Sequence, residues 1–84
     1  MTNKFHKEIY FLSGLKPAVL CRVHRLLGSG EKRRRLAEMG ITPNTVLQIK
    51  KIAPFGDPIE ISLRHYELSI RLEDAANIEV TLED

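Results

Sequence analysis

Apolar and polar residues alternate along most of the second half of this chain. Ile59, Ile61 and Leu63 interleave with Glu60, Ser62 and Arg64. That period of two puts one set of side chains on a buried face and the other in water, the mark of a half-buried strand. Leu68-Ser69-Ile70-Arg71-Leu72 and Ile78-Glu79-Val80-Thr81-Leu82 repeat the pattern. Val46–Ala53 and Ala18–Leu27 read as two further strands, rich in the branched and apolar residues that suit a pleated surface. The pattern changes at Glu31–Met39. There Leu36 and Met39 lie three apart on one helical face, with Ser29 or Gly30 available as N-cap. Gly40 suits the left-handed position that ends such a helix, and Ile41 can make the apolar contact back to Leu36 or Ala37 that accompanies it. At roughly two and a half turns, this helix depends on packing more than on propensity. Glu73-Asp74-Ala75-Ala76 can add one helical turn with acids at its positive end.

Five short strands joined by short links pair as antiparallel hairpins. In a chain of 84 residues, closing the sheet is the simplest way to remove open edges. The expected fold class is therefore mainly β: a small SH3-like five-stranded barrel with one short helix inserted between the first and second strands. Residues 1–11 are poorly patterned and read as a partly disordered N-terminal extension, with Met1–Lys7 frayed and residues 12–84 forming the domain. Two turns stand out. Thr42-Pro43-Asn44-Thr45 places Asn, which tolerates left-handed geometry, between strand and helix. Ala53-Pro54-Phe55-Gly56-Asp57-Pro58 joins two strands through two prolines that each fix φ, a Gly free to take positive φ, and an Asp biased toward an extended shape by the following Pro. The result is a stiff tip carrying one aromatic. Phe55 is either displayed to a partner or folded back to plug the end of the barrel.

Charge changes this picture more than composition does. Residues 1–35 carry nine Lys/Arg against two Asp/Glu, a balance of +7, while residues 67–84 carry six Asp/Glu against Arg71 alone, a balance of −5. Either the two ends pair across the fold, or a basic face is offered to an acidic protein, nucleic acid or anionic lipid. Lys32-Arg33-Arg34-Arg35 concentrates the basic charge early in the helix, where the macrodipole disfavours cations and Glu31 offsets them. With Leu36 and Met39 inward, Arg34 points out and Arg33 and Arg35 flank the buried stripe. They form a solvated face or a docking patch for an acidic surface or a phosphate. No run of residues is long and apolar enough for a membrane span or a secretory signal, and the single Cys permits no internal disulfide, so the expected location is cytoplasmic.

The sequence offers little for catalysis. Gly28-Ser29-Gly30 lacks the spacing and downstream Lys of a phosphate loop, no Ser/His/acid set stands out, and so short a chain leaves little room for a pocket of ~300–1,000 Å³. No enzyme activity and no cofactor are expected. Cys21-x-x-His24 looks like half a zinc site, but on a regular strand residues three apart face opposite ways unless a bulge intervenes. Cys21 reads as a small core residue, His24 as a surface residue and His65 as a turn residue. No metal ligand is assigned.

Four stretches together resemble the ferrous iron transport protein A (FeoA) family. They are Arg33-Arg34-Arg35-Leu36-Ala37-Glu38-Met39-Gly40-Ile41-Thr42-Pro43, Ala53-Pro54-Phe55-Gly56-Asp57-Pro58-Ile59, Leu68-Ser69-Ile70-Arg71 and Ala75-Ala76-Asn77-Ile78-Glu79-Val80. Their order and spacing carry the resemblance from about Leu12 to Val80. Two departures are visible: Asn44 stands where the family usually has a turn Gly, and Ala18 where a Gly often follows the Pro. The resemblance implies an SH3-like module of bacterial ferrous iron uptake, accessory to FeoB, a membrane iron transporter with a cytosolic GTP-binding part. A similar domain ends some metal-dependent repressors, so the alternative implied is a transition-metal-binding or metal-sensing domain. On the docking reading, the partner-binding residues are Arg33, Arg34, Arg35, Phe55 and Asp57. Nucleic acid is not the expected partner, because the basic residues are not interleaved with stacking aromatics.

Overall fold

The computed structural model describes residues 8–83; the fraying expected of Met1–Lys7 lies outside that range. Six strands form one antiparallel sheet in the order β1-β6-β2-β3-β4-β5. They are β1 (Tyr10–Phe11), β2 (Leu20–Leu26), β3 (Val46–Ile52), β4 (Ile59–Ser62), β5 (Glu67–Ile70) and β6 (Ile78–Leu82). Helix α1 (Gly30–Glu38) lies between β2 and β3, and the single-turn helix α2 (Leu72–Ala75) between β5 and β6. All five strands expected from the alternation are present to within a residue or two. Two expectations are corrected. The sheet has a sixth strand, because Tyr10 and Phe11 pair with Val80 and Glu79 of β6. And the ladder does not close: β1 and β5 are its two ends. Instead, the 3-10 turn Leu12–Gly14 that follows β1 packs against α2, which follows β5. Helical turns, not strand pairing, sit at the seam.

The inward positions meet in one core, with Cys21 and Val23, Leu47 and Ile49, Ile59 and Ile61, and Ile78 and Val80 all buried. Leu36 is the one buried residue of α1 and reaches this core together with Ile41. The ladder slips between Val23 and Arg25 of β2 and between Ile49 and Lys51 of β3. Such bulges bend and twist a strand, which lets a small sheet wrap around its own core.

Local chemistry sets the element ends. The Ser29 hydroxyl accepts from the Lys32 amide at 3.1 Å and caps α1. At the other end Gly40 has φ +96°; its amide donates to the Ala37 carbonyl and the Ile41 amide to the Leu36 carbonyl, both at 3.0 Å. This is the paired closure that buries an apolar residue just past a helix. The Tyr66 hydroxyl donates to the Met39 carbonyl, and a Cβ on Gly40 would collide with it. Before β2, the Val19 amide donates to the Lys16 carbonyl at 3.3 Å, with Pro17 second in the turn and Ala18 third at φ +75°. That is type II turn geometry. It delays the strand from the expected Ala18 to Leu20. Both residues that depart from the family pattern, Ala18 and Asn44 (φ +76°), therefore occupy left-handed backbone.

Candidate functional site

The β3–β4 connection is built as the prolines and glycine require. The Gly56 amide donates to the Ala53 carbonyl at 2.7 Å, closing a turn with Pro54 second, and the Ala53 amide donates to the Pro58 carbonyl at 3.1 Å. Gly56 takes φ +88° and the Asp57–Pro58 peptide is cis. At the apex Phe55 is 98% exposed. Of the two placements its sequence allowed, it is therefore displayed and does not plug the sheet. Asp57 turns inward onto α2. One carboxylate oxygen accepts from the Leu72 amide at 2.9 Å, at the start of that helix, and the other lies 3.5 Å from Arg71 Nε.

On α1, Arg33 and Arg34 are exposed and carry no ion pair with a described residue. Arg35 differs: its guanidinium reaches Asp74 of α2 at 2.7 Å, and Asp74 is the buried carboxylate of the core edge. Thus α2 is tied on one side to α1 through Arg35–Asp74 and on the other to the tip through Asp57. The sequence-derived site residues divide accordingly. Arg33, Arg34 and Phe55 face solvent, while Arg35 and Asp57 are held by contacts within the chain. Among the described residues, the ion pairs Arg22–Glu83, Arg25–Glu79 and Arg35–Asp74 join the basic first part to the acidic tail. Pairing across the fold therefore accounts for part of the charge polarity, and Lys16, Lys32, Arg33 and Arg34 are the basic residues of the first part, among the described residues, with no ion pair to a described residue.

A depression of about 660 Å³ crosses the outer face of β2, β3 and β4, lined by Leu20, Arg22, Val46, Gln48, Ser62 and Arg64 among others. The expectation that so short a chain has little room for such a volume is corrected here: the curled sheet supplies the concavity. Its lining contains no His, Cys, Asp or Glu, so it offers neither a general base nor an activated nucleophile. Cys21 is buried, and the loss of solvent, with a smaller contribution from the Glu83 charge, pushes its thiol up to about 11. His24 sits at the β2 bulge and is exposed, so the two do not converge on one ion. Among the described residues no three His, Cys, Asp or Glu side chains are gathered as metal ligands. No helix among them is long and apolar enough to cross a membrane.

Residues 11–82 match the model of the FeoA domain. The chain belongs to the FeoA family. This is a family of small accessory domains associated with ferrous iron transport and is not a known enzyme family. One curated relative, the Fe(2+) transport protein A/Fe(2+) transporter FeoB fusion protein of Porphyromonas gingivalis, is 40% identical over 65 residues. The match takes in 77% of this chain and only 7% of that protein. Among solved structures, the FeoA-like protein from Clostridium acetobutylicum superposes with a TM-score of 0.83 at 32% identity, covering 93% of this chain and 90% of that one. A crystal structure of an iron uptake regulatory protein, FeoA, gives 0.83 at 28% identity over 90% of this chain and 100% of that one. FeoA structures are SH3-like, and this chain shares that fold.

Two parts of the site were missed in the sequence. The clasp between Asp57 and α2, and the Arg35–Asp74 tie, each join residues well apart in the chain. Asp57 gave one local signal, an Asp before Pro, but its partner is supplied by a different element.

Proposed function

We propose that this FeoA-family chain is a non-enzymatic cytoplasmic accessory protein of ferrous iron uptake that docks on the cytosolic, GTP-binding part of a FeoB-type transporter. Phe55 is the apolar anchor and Arg33 and Arg34 are the cationic flank. The observation that carries the reading is the Porphyromonas gingivalis fusion, a relative in which the two proteins named are one polypeptide. Covalent linkage raises the effective concentration of two partners, an arrangement useful for modules that work together. The surface assignment is supported by Phe55, whose near-complete exposure is unusual for a large aromatic and matches the residue type that anchors interfaces. Exposed arginines elsewhere on the same chain can steer an acidic partner toward such an anchor.

The test is binding of this chain to the full-length transporter in nanodiscs, with GTP hydrolysis measured alongside. Binding that falls at least ~10-fold in a Phe55→Ala/Arg34→Ala variant, the effect of losing ~1.4 kcal/mol, is the expected outcome. Undetectable binding of the native chain at any nucleotide state overturns docking. Undiminished binding of the double variant overturns this surface.

A further inference from the structure

Phe55 is not the only apolar side chain at this end of the molecule. Leu72, the first residue of α2, is 37% exposed, and its amide is the one that Asp57 accepts at 2.9 Å. Asp57 is two residues from Phe55, so their Cα atoms are within about 7 Å. The carboxylate therefore brings two sequence-distant hydrophobic residues to one end of the fold. Both of its oxygens are engaged, one with the Leu72 amide and one facing Arg71 Nε at 3.5 Å. An Asp with both oxygens held inside its own chain is poorly placed to bind a partner directly.

We propose that Asp57 is a positioning residue, and that the docking surface is a composite of the tip and α2 in which Phe55 and Leu72 form one apolar unit. The partner it fits is a protein surface with a hydrophobic pocket rimmed by carboxylates: the pocket takes Phe55 and Leu72, and the rim meets Arg71, the N-cap residue of α2. The clasp presets the angle between the tip and α2, and Arg35–Asp74 carries that frame on to α1. A surface ordered before contact loses less freedom on binding, so its anchors retain more of their contact energy. What the surface binds rests on the docking reading above; the clasp itself does not.

Four variants and three readouts test this. Backbone order parameters of residues 53–58 and hydrogen exchange of the Leu72 amide are measured on the isolated chain, and affinity on the transporter in nanodiscs. Asp57→Ala is expected to lower the tip order parameters from the rigid ~0.85 toward the flexible ~0.6, to speed Leu72 exchange and to weaken binding ~10-fold. Asp57→Asn keeps an acceptor for the Leu72 amide and is expected to restore most of both. Phe55→Ala and Leu72→Ala are expected to weaken binding with exchange at residue 72 and tip order otherwise native. If Asp57→Ala leaves tip order and Leu72 exchange unchanged, there is no positioning role. If it weakens binding while the tip stays rigid, Asp57 touches the partner directly and the proposal is likewise overturned. Full binding by Leu72→Ala removes the composite surface. If the native chain fails to bind the transporter, docking fails, while the order parameters still decide the clasp.

Discussion

Replacing Ala18 by Gly should make this protein more stable, although it removes a methyl group and adds freedom to the chain. Ala18 is the third residue of the Lys16–Val19 turn and sits at φ +75°. For a residue with a Cβ this region costs roughly 1–2 kcal/mol relative to ordinary backbone. The chain cannot relax away from it. The Ala18 amide donates to the Ile49 carbonyl at 2.7 Å, and its carbonyl accepts from Gln48 Nε2 at 3.1 Å. The methyl is exposed, so losing it sacrifices no packing. Against the relief stands the greater freedom of Gly in the unfolded chain, about 0.5–1 kcal/mol. The net is a gain of about 0.5–1 kcal/mol. In a domain of this size that raises Tm by about 2–8 °C. Urea titration should show a higher midpoint at unchanged slope, which separates a native-state effect from altered compactness. Asn44→Gly is the control: Asn tolerates the same geometry at φ +76°, so its gain should be smaller. A lower midpoint for Ala18→Gly, or a larger gain at position 44 than at 18, would refute the argument from backbone strain.

Three further outcomes follow from the same geometry. Gly40→Ala should lower stability by at least ~2 kcal/mol in urea titration, since it meets left-handed backbone and the Tyr66 hydroxyl together; adding Tyr66→Phe should recover part of that loss. Stability should fall with rising pH between about 9 and 11, by up to ~1.4 kcal/mol per pH unit, because the unfolded chain gives up its Cys21 proton near 9 while the buried thiol holds its proton to about 11; urea midpoints across that range should flatten in Cys21→Ala, whatever its starting stability. Phe55→Ala should shift the thermal midpoint by no more than ~2 °C, the scale of a surface substitution, because a side chain 98% exposed gives the fold almost no burial.

Much of this protein is written in short-range pattern. Ser29, Gly40 and Ile41 delimit α1, the period-two runs mark β4 to β6, and Pro54, Gly56 and the paired turn residues shape the tip. Each acts over a few residues, so sequence spacing alone carries the information. The departures at Ala18 and Asn44 came from the family resemblance and not from local pattern, which put Ala18 in the strand that follows its turn. β1 was not legible: at two residues it has no period, and it exists because β6 offers Val80 and Glu79 to Tyr10 and Phe11. Nor was the open ladder, since whether a sheet closes depends on how its ends meet in space, and here helical turns occupy the seam. The site divides along the same line. Local chemistry was enough to single out Phe55 and the arginine run. Only the tertiary structure decided that Phe55 faces water, that Arg35 is committed to Asp74 while Arg33 and Arg34 are not, and that Asp57 serves α2. Those outcomes depend on contacts between residues up to 39 apart in the chain, which no local pattern can encode.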